Sequence, residues 1–354
     1  MKKLLLILMT IAVLAACQDN KKKSAAKDSK SISITAAGAT FPMPFYNQLI
    51  ADYVKKSGIQ ITYGGIGSGG GIRSLKDKVV DFGATDAFLT DAQAAELPAA
   101  VVHVPTCLGA VVLAYNLPGV TSLKLKNEVL AKIFMGEIKK WNDAQIKADN
   151  PGINLPDLGI SVIYRSDGSG TTFIFSDYMS KISEKWAKDI GTGKSLNWPI
   201  GMGAKGNPGV AGTIKQTEGA FGYIGSEYAF AQKLPFVSLQ NKAGQFIEPS
   251  IQSISAAAKG EIPADTRVMV TNSSDPEAYP ISAFTWIILY KEQAYNDRTR
   301  QQAEETVKFL DWLISADAQG VAQKVDYAPL PDKVVVLAKD ILKSVTYNGE
   351  ALLK

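Results

Sequence analysis

Hydrophobic and polar positions along the chain follow two periods in turn. Short apolar runs rich in β-branched and aromatic residues predict strands: "SISITAAG" (31–38), "IQITYGG" (59–65), "DFGATDA" (81–87), "VVHVP" (101–105), "GAVVLAYN" (109–116), "ISVIYR" (160–165), "FGYIG" (221–225) and "AFTWIILY" (283–290). Amphipathic stretches between them predict helices over 44–58, 70–79, 127–136, 172–191, 256–260 and 303–325. In the last of these, Val307, Leu310, Leu313 and Ile314 recur at helical spacing. Strand and helix alternate, which predicts an α/β fold with mainly parallel sheets. No internal repeat and no long linker interrupts the body of the chain.

The first residues follow neither period. "MKKLLLILMTIAVLAAC" places two lysines before an apolar run that ends in small residues. This is the layout of a secretory signal, and the run falls short of the ~20 residues of a bilayer span. "LAAC" also has the pattern of a bacterial lipobox, in which Cys17 becomes the lipid-modified first residue of the mature protein. The alternative is an ordinary secreted protein with a chance cysteine. The expectation is a lipoprotein signal peptide over 1–16 and a lipidated, disordered tether over 17–31. The tether, "CQDNKKKSAAKDSKS", has no aromatic residue and too little apolar surface to order itself. The remaining body of about 320 residues exceeds one typical core, so two domains are expected.

Charge and rare residues narrow the function. The formal net charge is +4, but Lys2, Lys3 and the tether's five lysines against two aspartates account for all of it, and the body is close to neutral. Its five arginines are scattered and no basic run is present, which argues against nucleic acid as a partner. An anion would have to be met by a few aimed groups. Cys107 has no partner for a disulfide once Cys17 is lipidated, and it reads as a buried apolar thiol, with a reactive thiol as the alternative. His103 is the single histidine, so no histidine cluster can hold zinc, and a Ser-His-Asp enzyme would depend on that one residue. No metal and no cofactor is expected.

Three glycine-rich turns carry the candidate chemistry. Each follows a strand and opens a helix: "TAAGATFPMPFYNQLI" with Gly38, Thr40 and Pro42, "ITYGGIGSGGGIRSL" with Ser68, and "YRSDGSGTT" with Arg165, Ser169, Gly170 and Thr171. A hydroxyl and free backbone N–H groups at a helix N-terminus attract an anion through unpaired donors and the helix dipole. Ligands of open α/β sheets also bind at strand carboxyl ends. The same turns serve equally well as plain N-caps. Stricter motifs fail. "GTGKS" (191–195) lacks the first glycine of a P-loop, since Lys188 stands there and a helix precedes it. "GIGSGG" is no nucleophile elbow, because Ile66 holds the first glycine position.

In order along the chain, "AAGATFP", "GIGSGGGI", "VDFGATDA", "RSDGSGTTFIF", "WPIGMGAKGNPGV", "GAFGYI" and "DYAPLPD" resemble the phosphate-binding lipoprotein or periplasmic protein of the high-affinity phosphate ABC importer. The resemblance runs from about residue 33 to the C-terminus. It implies a two-lobed periplasmic binding protein fold of type II, with two crossover segments and the ligand in the inter-lobe cleft. Mapped here, lobe one holds 32–114 plus 284–354 and lobe two holds 115–283. The implied phosphate-binding residues are Thr40, Phe41, Ser68, Asp86, Arg165, Ser169, Gly170 and Thr171, with Asp167 holding the arginine. The implied function is capture of inorganic phosphate and delivery to the permease and ATPase subunits of an importer, by a monomer anchored to the membrane through the Cys17 lipid. Asp86 would accept the proton that phosphate keeps near neutral pH and repel fully ionised anions. Phe88 and Thr90 depart from the family's usual proline and serine, beside the contacts. Other readings are a binder of another oxyanion such as sulfate, molybdate or a phosphonate, an extracytoplasmic phosphatase, or a structural surface lipoprotein.

Overall fold

The computed structural model describes residues 32–353. The expected signal peptide, Cys17 and the tether lie outside the described residues. Strands β1 (Ser33–Gly38), β2 (Gln60–Gly65), β3 (Phe82–Thr85), β4 (Val101–Tyr115), β5 (Leu123–Leu125), β6 (Ser161–Arg165), β7 (Met202–Ala204), β8 (Ala220–Gly225), β9 (Val237–Gln240), β10 (Phe246–Ile247) and β11 (Ser282–Tyr290) form two sheets. Eight of them make one sheet in the order β2-β1-β3-β11-β4-β8-β6-β7, and β10-β9-β5 make a small second sheet. The expectation of mainly parallel strands holds at the two flanks, β2-β1-β3 and β8-β6-β7. It fails in the middle, where β11 runs antiparallel to β3 and β4, and β8 antiparallel to β4.

β4 explains both the size of this sheet and its two halves. Pro105 and Gly109 make the segment read as two short strands, yet 101–115 is one continuous strand, buried along most of its length. Pro105 has no N–H for the ladder, and the register between β4 and β11 slips at Thr285/Trp286, opposite the proline. Gly109 is small because the ring of Phe41 occupies the space where a side chain would sit, with a Cβ 2.5 Å from that ring. β4 pairs with β11 up to Ala110 and with β8 from Val111. The chain comes back beside that switch, where the Val111 N–H donates to the Ile281 carbonyl at 2.9 Å.

Helices α1 (Met43–Ser57), α2 (Ser68–Lys76), α3 (Asp91–Ala95), α4 (Asn127–Phe134), α5 (Ala144–Asp149), α6 (Gly170–Ile182), α7 (Glu184–Asp189), α8 (Gly206–Gln216), α9 (Ser226–Gln232), α10 (Ile251–Ala256), α11 (Arg300–Leu313), α12 (Ala316–Ala322) and α13 (Asp332–Lys343) accompany the strands. α1 buries Phe45, Tyr46, Leu49 and Tyr53, one face of a 3.6-residue repeat, and stops at Gly58 in the left-handed region (φ 76°). Tyr53 meets Phe309 and Trp312 of α11, with ring centroids 5.1 Å apart in both pairs. Two long helix expectations break at serine caps. The stretch 172–191 divides at Ser183, whose hydroxyl accepts the Trp186 N–H at 3.2 Å. The stretch 303–325 divides at Ser315, which caps α12. A capping hydroxyl offers the backbone an alternative to the continuing helix. The expected helix over 256–260 is displaced upstream, as α10, which starts at the Ser250 capping box. Among the described residues, no helix is long and apolar enough to cross a membrane.

A buried ion pair ties the β1 side of the sheet to α11. Arg298 pairs with Asp81, and both are nearly fully buried. Asp81 also accepts the Thr35 N–H at 2.6 Å and the Gln302 amide at 3.0 Å, while Arg298 donates to the Thr306 hydroxyl at 2.6 Å. Removing one member leaves the other charged and unpaired in the interior, at a cost of about 3–5 kcal/mol. Asp81→Ala is therefore expected to lower unfolding free energy in chemical denaturation by that amount. Asp157→Ala, which breaks an exposed 2.7 Å pair with Lys140, is expected to leave the unfolding free energy nearly unchanged, because water screens that pair.

Candidate functional site

The three glycine turns stand at the C-terminal ends of β1, β2 and β6, and the structure brings all eight expected contact residues together there with Asp167. In the first turn, the Thr40 carbonyl accepts from the Tyr228 hydroxyl at 2.6 Å, and the Phe41 carbonyl accepts from the Tyr327 hydroxyl at 2.5 Å. A trans peptide points its N–H opposite its C=O. Tyr228 thereby sets the direction of the Phe41 N–H, which meets no protein acceptor among the described residues.

In the second turn, Ser68 is the first residue of α2 and Gly67 its N-cap. The Ile66 and Gly67 N–H groups both donate to the Gly38 carbonyl, at 3.0 and 2.9 Å, which binds the second turn to the first. The Ser68 N–H has no acceptor among the described residues. Gly67 holds φ 84°, and a Cβ there would lie 2.3 Å from Asp167 Oδ2, so the close approach of the third turn demands glycine.

In the third turn, Ser169 caps α6 by accepting the Thr172 N–H at 2.9 Å. The helix begins at Gly170, two residues before the expected start at 172. The Gly170 and Thr171 N–H groups stay without acceptors among the described residues, whereas the Ser169 N–H is taken by the Lys194 carbonyl at 2.8 Å. The "GTGKS" segment thus buttresses this turn with its backbone. Capping and anion donation are not alternatives here, because the cap uses one orphan N–H and leaves two.

Arg165 is 3% exposed. Asp167 holds it in a two-point fork, Nε to Oδ1 at 2.7 Å and Nη2 to Oδ2 at 2.5 Å, and Nη1 donates to the Thr171 hydroxyl at 3.2 Å. Of the five N–H bonds of a guanidinium this leaves two. Burial works against the Asp167 charge, but the Arg165 fork and the Gly206 N–H (2.9 Å) outweigh it and hold its carboxyl below the usual range. The Arg165 N–H donates to the Tyr223 hydroxyl at 3.0 Å, and the Tyr223 ring stacks on Phe175 at 4.5 Å. The aromatic core of α6 and β8 thereby positions the charge.

Asp86 follows β3 and is 1% exposed. Its Oδ1 accepts the Thr285 hydroxyl at 2.7 Å, and Ser68 exchanges two longer contacts with it: Ser68 Oγ to Asp86 Oδ2 at 3.4 Å, and the Asp86 N–H to Ser68 Oγ at 3.2 Å. Burial pushes the Asp86 carboxyl up to about 7, although the Thr285 hydroxyl, the Arg165 charge and Ser68 pull the other way. Gly170 abuts it so closely that a Cβ would lie 2.4 Å from both Asp86 Oδ2 and Ser68 Oγ.

Sequence reasoning missed Asn207, Tyr228 and Thr285. Asn207 lies in "WPIGMGAKGNPGV", a stretch that carries the resemblance but in which no residue stands out chemically. Fully buried at the start of α8, it joins Thr40 to Thr171. Thr285 is inside an apolar strand, and only the register shift opposite Pro105 marks its place. Of the two departures beside the contacts, Phe88 packs edge-on against Trp286 (5.7 Å) and Thr90 caps α3 with a capping box. His103 is buried, its Nε2 accepting the Leu89 N–H at 3.0 Å, and burial lowers it to about 4. It lines a cavity of about 530 Å³ that shares no residue with the cluster of turns. The guanidinium in that cavity, Arg267, is already paired with Asp91 and Asp265 at 2.7 and 2.8 Å. Among the described residues, no group of three or more His, Cys, Asp or Glu is placed to hold a metal.

The cluster is thus a buried set of aimed donors around one guanidinium, with one carboxylate facing it. Comparison with known proteins identifies the family. Residues 23–317 match the PBP superfamily domain. The chain is 38% identical over 350 residues to the phosphate-binding protein PstS of Xylella fastidiosa, covering 94% of each. It is 42% identical over 319 residues to the phosphate-binding protein PstS of Haemophilus influenzae, covering 88% of this chain and 93% of that one. A solved high affinity periplasmic phosphate-binding protein bound with phosphate aligns with a TM-score of 0.70, over 87% of this chain and 93% of its own; at 20% identity that likeness speaks for the fold. A two-lobed α/β architecture, the three turns at strand ends and these relatives place the chain in the PstS family of phosphate-binding proteins.

Proposed function

We propose that the protein captures inorganic phosphate outside the cytoplasm and delivers it to the permease and ATPase subunits of an ABC importer. The observation that carries this reading is a buried carboxylate set among anion donors. Phe41, Ser68, Gly170 and Thr171 offer unpaired backbone N–H groups, and Arg165 offers its two remaining N–H bonds. Charge-assisted hydrogen bonds contribute about 1.5–3 kcal/mol each, so a handful suffices for sub-micromolar binding, about 8 kcal/mol. Asp86 adds the selectivity. Phosphate near neutral pH keeps an O–H that Asp86 can accept, and sulfate does not. At about 3 Å and an effective dielectric near 20, an ionised Asp86 repels an unprotonated oxyanion by roughly 5 kcal/mol. This disfavours the reading as a carrier of sulfate or molybdate. Relatives that are phosphate-binding proteins support a binding protein over a phosphatase.

The finer parts of the reading belong to the same proposal. Cys17 carries the lipid, residues 17–31 form the tether, and the protein works as a monomer. The switch of β4 partners at Val111 and the return beside Ile281 support lobes of 32–114 plus 284–354 and of 115–283, with phosphate held between them.

The test of the function is titration calorimetry with phosphate and then sulfate. Binding of phosphate at one-to-one stoichiometry, micromolar or tighter, with no heat from sulfate is the expected result; equal binding of both would make the protein a general oxyanion carrier. Asp86→Asn is expected to weaken phosphate modestly and to admit sulfate. The same variant separates the acid's role in stability. A carboxyl raised from 3.8 to about 7 stabilises the native state only while it is protonated, so this contribution is lost as pH rises from about 4 through 7. The ligand-free Asp86→Asn protein should therefore melt above the wild type at pH 8, with the gap closing towards pH 4. Gly170→Ala puts a methyl group against Asp86 and Ser68 and is expected to raise the Kd for phosphate at least about tenfold, the scale of overpacking. An unchanged Kd would show that the turns do not need this approach.

A further inference from the structure

Two of the proposed contact residues, Thr40 and Thr171, carry hydroxyls, and a hydroxyl can present either its hydrogen or its lone pairs to a ligand. The surroundings remove that choice. Thr40 Oγ1 accepts two hydrogen bonds from Asn207, one from the backbone N–H and one from Nδ2, both at 3.1 Å. Thr171 Oγ1 accepts from Arg165 Nη1 at 3.2 Å and from Asn207 Nδ2 at 3.0 Å. All four partners are nitrogens that can only donate. Each threonine oxygen therefore has both lone pairs engaged, and neither hydroxyl donates to a protein acceptor among the described residues. The remaining capacity of each is its hydrogen.

This assignment requires the Asn207 amide to face the threonines with its nitrogen and not its oxygen. Gly225 settles the orientation: its N–H donates to Asn207 Oδ1 at 3.1 Å, and a backbone N–H needs an oxygen there. The amide thus accepts from the end of β8 and sends one hydrogen to each threonine. It is fully buried, so water does not compete for these bonds.

Building on the phosphate reading, we propose that Asn207 is a positioning residue that holds Thr40 and Thr171 as hydrogen-bond donors to the bound anion and so leaves the acceptor role to Asp86. Without Asn207 either hydroxyl could rotate and turn a lone pair towards a phosphate oxygen. With it, the cluster shows donors on both hydroxyls, and the ligand's proton has one place to go. Discrimination by Asp86 depends on this, because a hydroxyl free to accept would offer a protonated ligand a second partner.

The test is a coupling measurement by phosphate titration calorimetry at pH 7.5. Asn207→Leu, uncharged and of similar volume, is expected to raise the Kd about tenfold or more in the wild-type background. In a Thr40→Val, Thr171→Val background the same change is expected to raise it less than about threefold, because the groups through which Asn207 acts are gone. Equal losses in both backgrounds would overturn the inference and leave Asn207 a packing residue. Asn207→Asp, which keeps the shape if the leucine variant does not fold, lets a carboxylate draw both hydroxyl hydrogens away from the ligand. Its phosphate binding is expected to be weakest at pH 8 and to recover at least tenfold relative to wild type by pH 5, as the new carboxyl takes up a proton. A flat ratio across that range would also overturn the inference. Failure of the wild type itself to bind phosphate would remove the functional reading and this inference together, whereas a wild type that binds beside indifferent Asn207 variants removes the inference alone.

Discussion

The buried guanidinium of Arg165 is the constraint around which the rest of the site is arranged. A charge sunk that deeply is tolerable only when it is paired and its hydrogen bonds are met. Asp167 meets two of them, Thr171 a third, and Gly206 in turn supports Asp167. Tyr223 fixes the backbone of Arg165 and is itself clamped in the aromatic core by Phe175. The direction of one cation is thus traceable through a hydroxyl and a stacked ring to the packing of α6 on β8.

Around that cation the turns supply neutral donors and no second free cation. This suits a body with almost no net charge. Attraction comes from N–H groups and hydroxyls whose directions are set before any ligand arrives: Phe41 by Tyr228, Ser68 by the turn that Gly38 holds, and Gly170 and Thr171 by the start of α6. Preorganised donors cost little reorganisation on binding, and burial strengthens each of them. Asp86 stands within this field, and burial raises its proton affinity although the Thr285 hydroxyl, the Arg165 charge and Ser68 pull the other way. In the proposed phosphate reading, ligand selectivity rests on counting hydrogens, which a diffuse electrostatic field cannot do.

The sheet makes the meeting possible. The first two turns end parallel strands of one flank and the third ends a parallel strand of the other, and the antiparallel trio β11-β4-β8 joins the flanks. β4 is long enough to serve both because a register shift absorbs Pro105. That same irregularity sits beside Thr285, which sends its hydroxyl to Asp86. A feature that reads as a break in the sequence is structurally a joint.

Much of this was legible in the order of residues. Strand–turn–helix units with glycine and a hydroxyl announce themselves through local backbone needs: glycine where φ is positive or chains approach closely, serine or threonine where a helix leaves N–H groups unpaired. The resemblance then pointed to Asp86 and to Arg165 with its partner Asp167. Asn207, Tyr228 and Thr285 were not legible, since each acts on a residue far away in sequence and carries no local mark. The same holds for the helix breaks at Ser183 and Ser315, where a side-chain cap competes with a continuing apolar pattern. The sequence by itself determined which turns could offer donors. Only the tertiary structure decided which donors remained free, which way the hydroxyls point and how far the Asp86 charge is suppressed, because those depend on burial and on partners brought in from across the sheet.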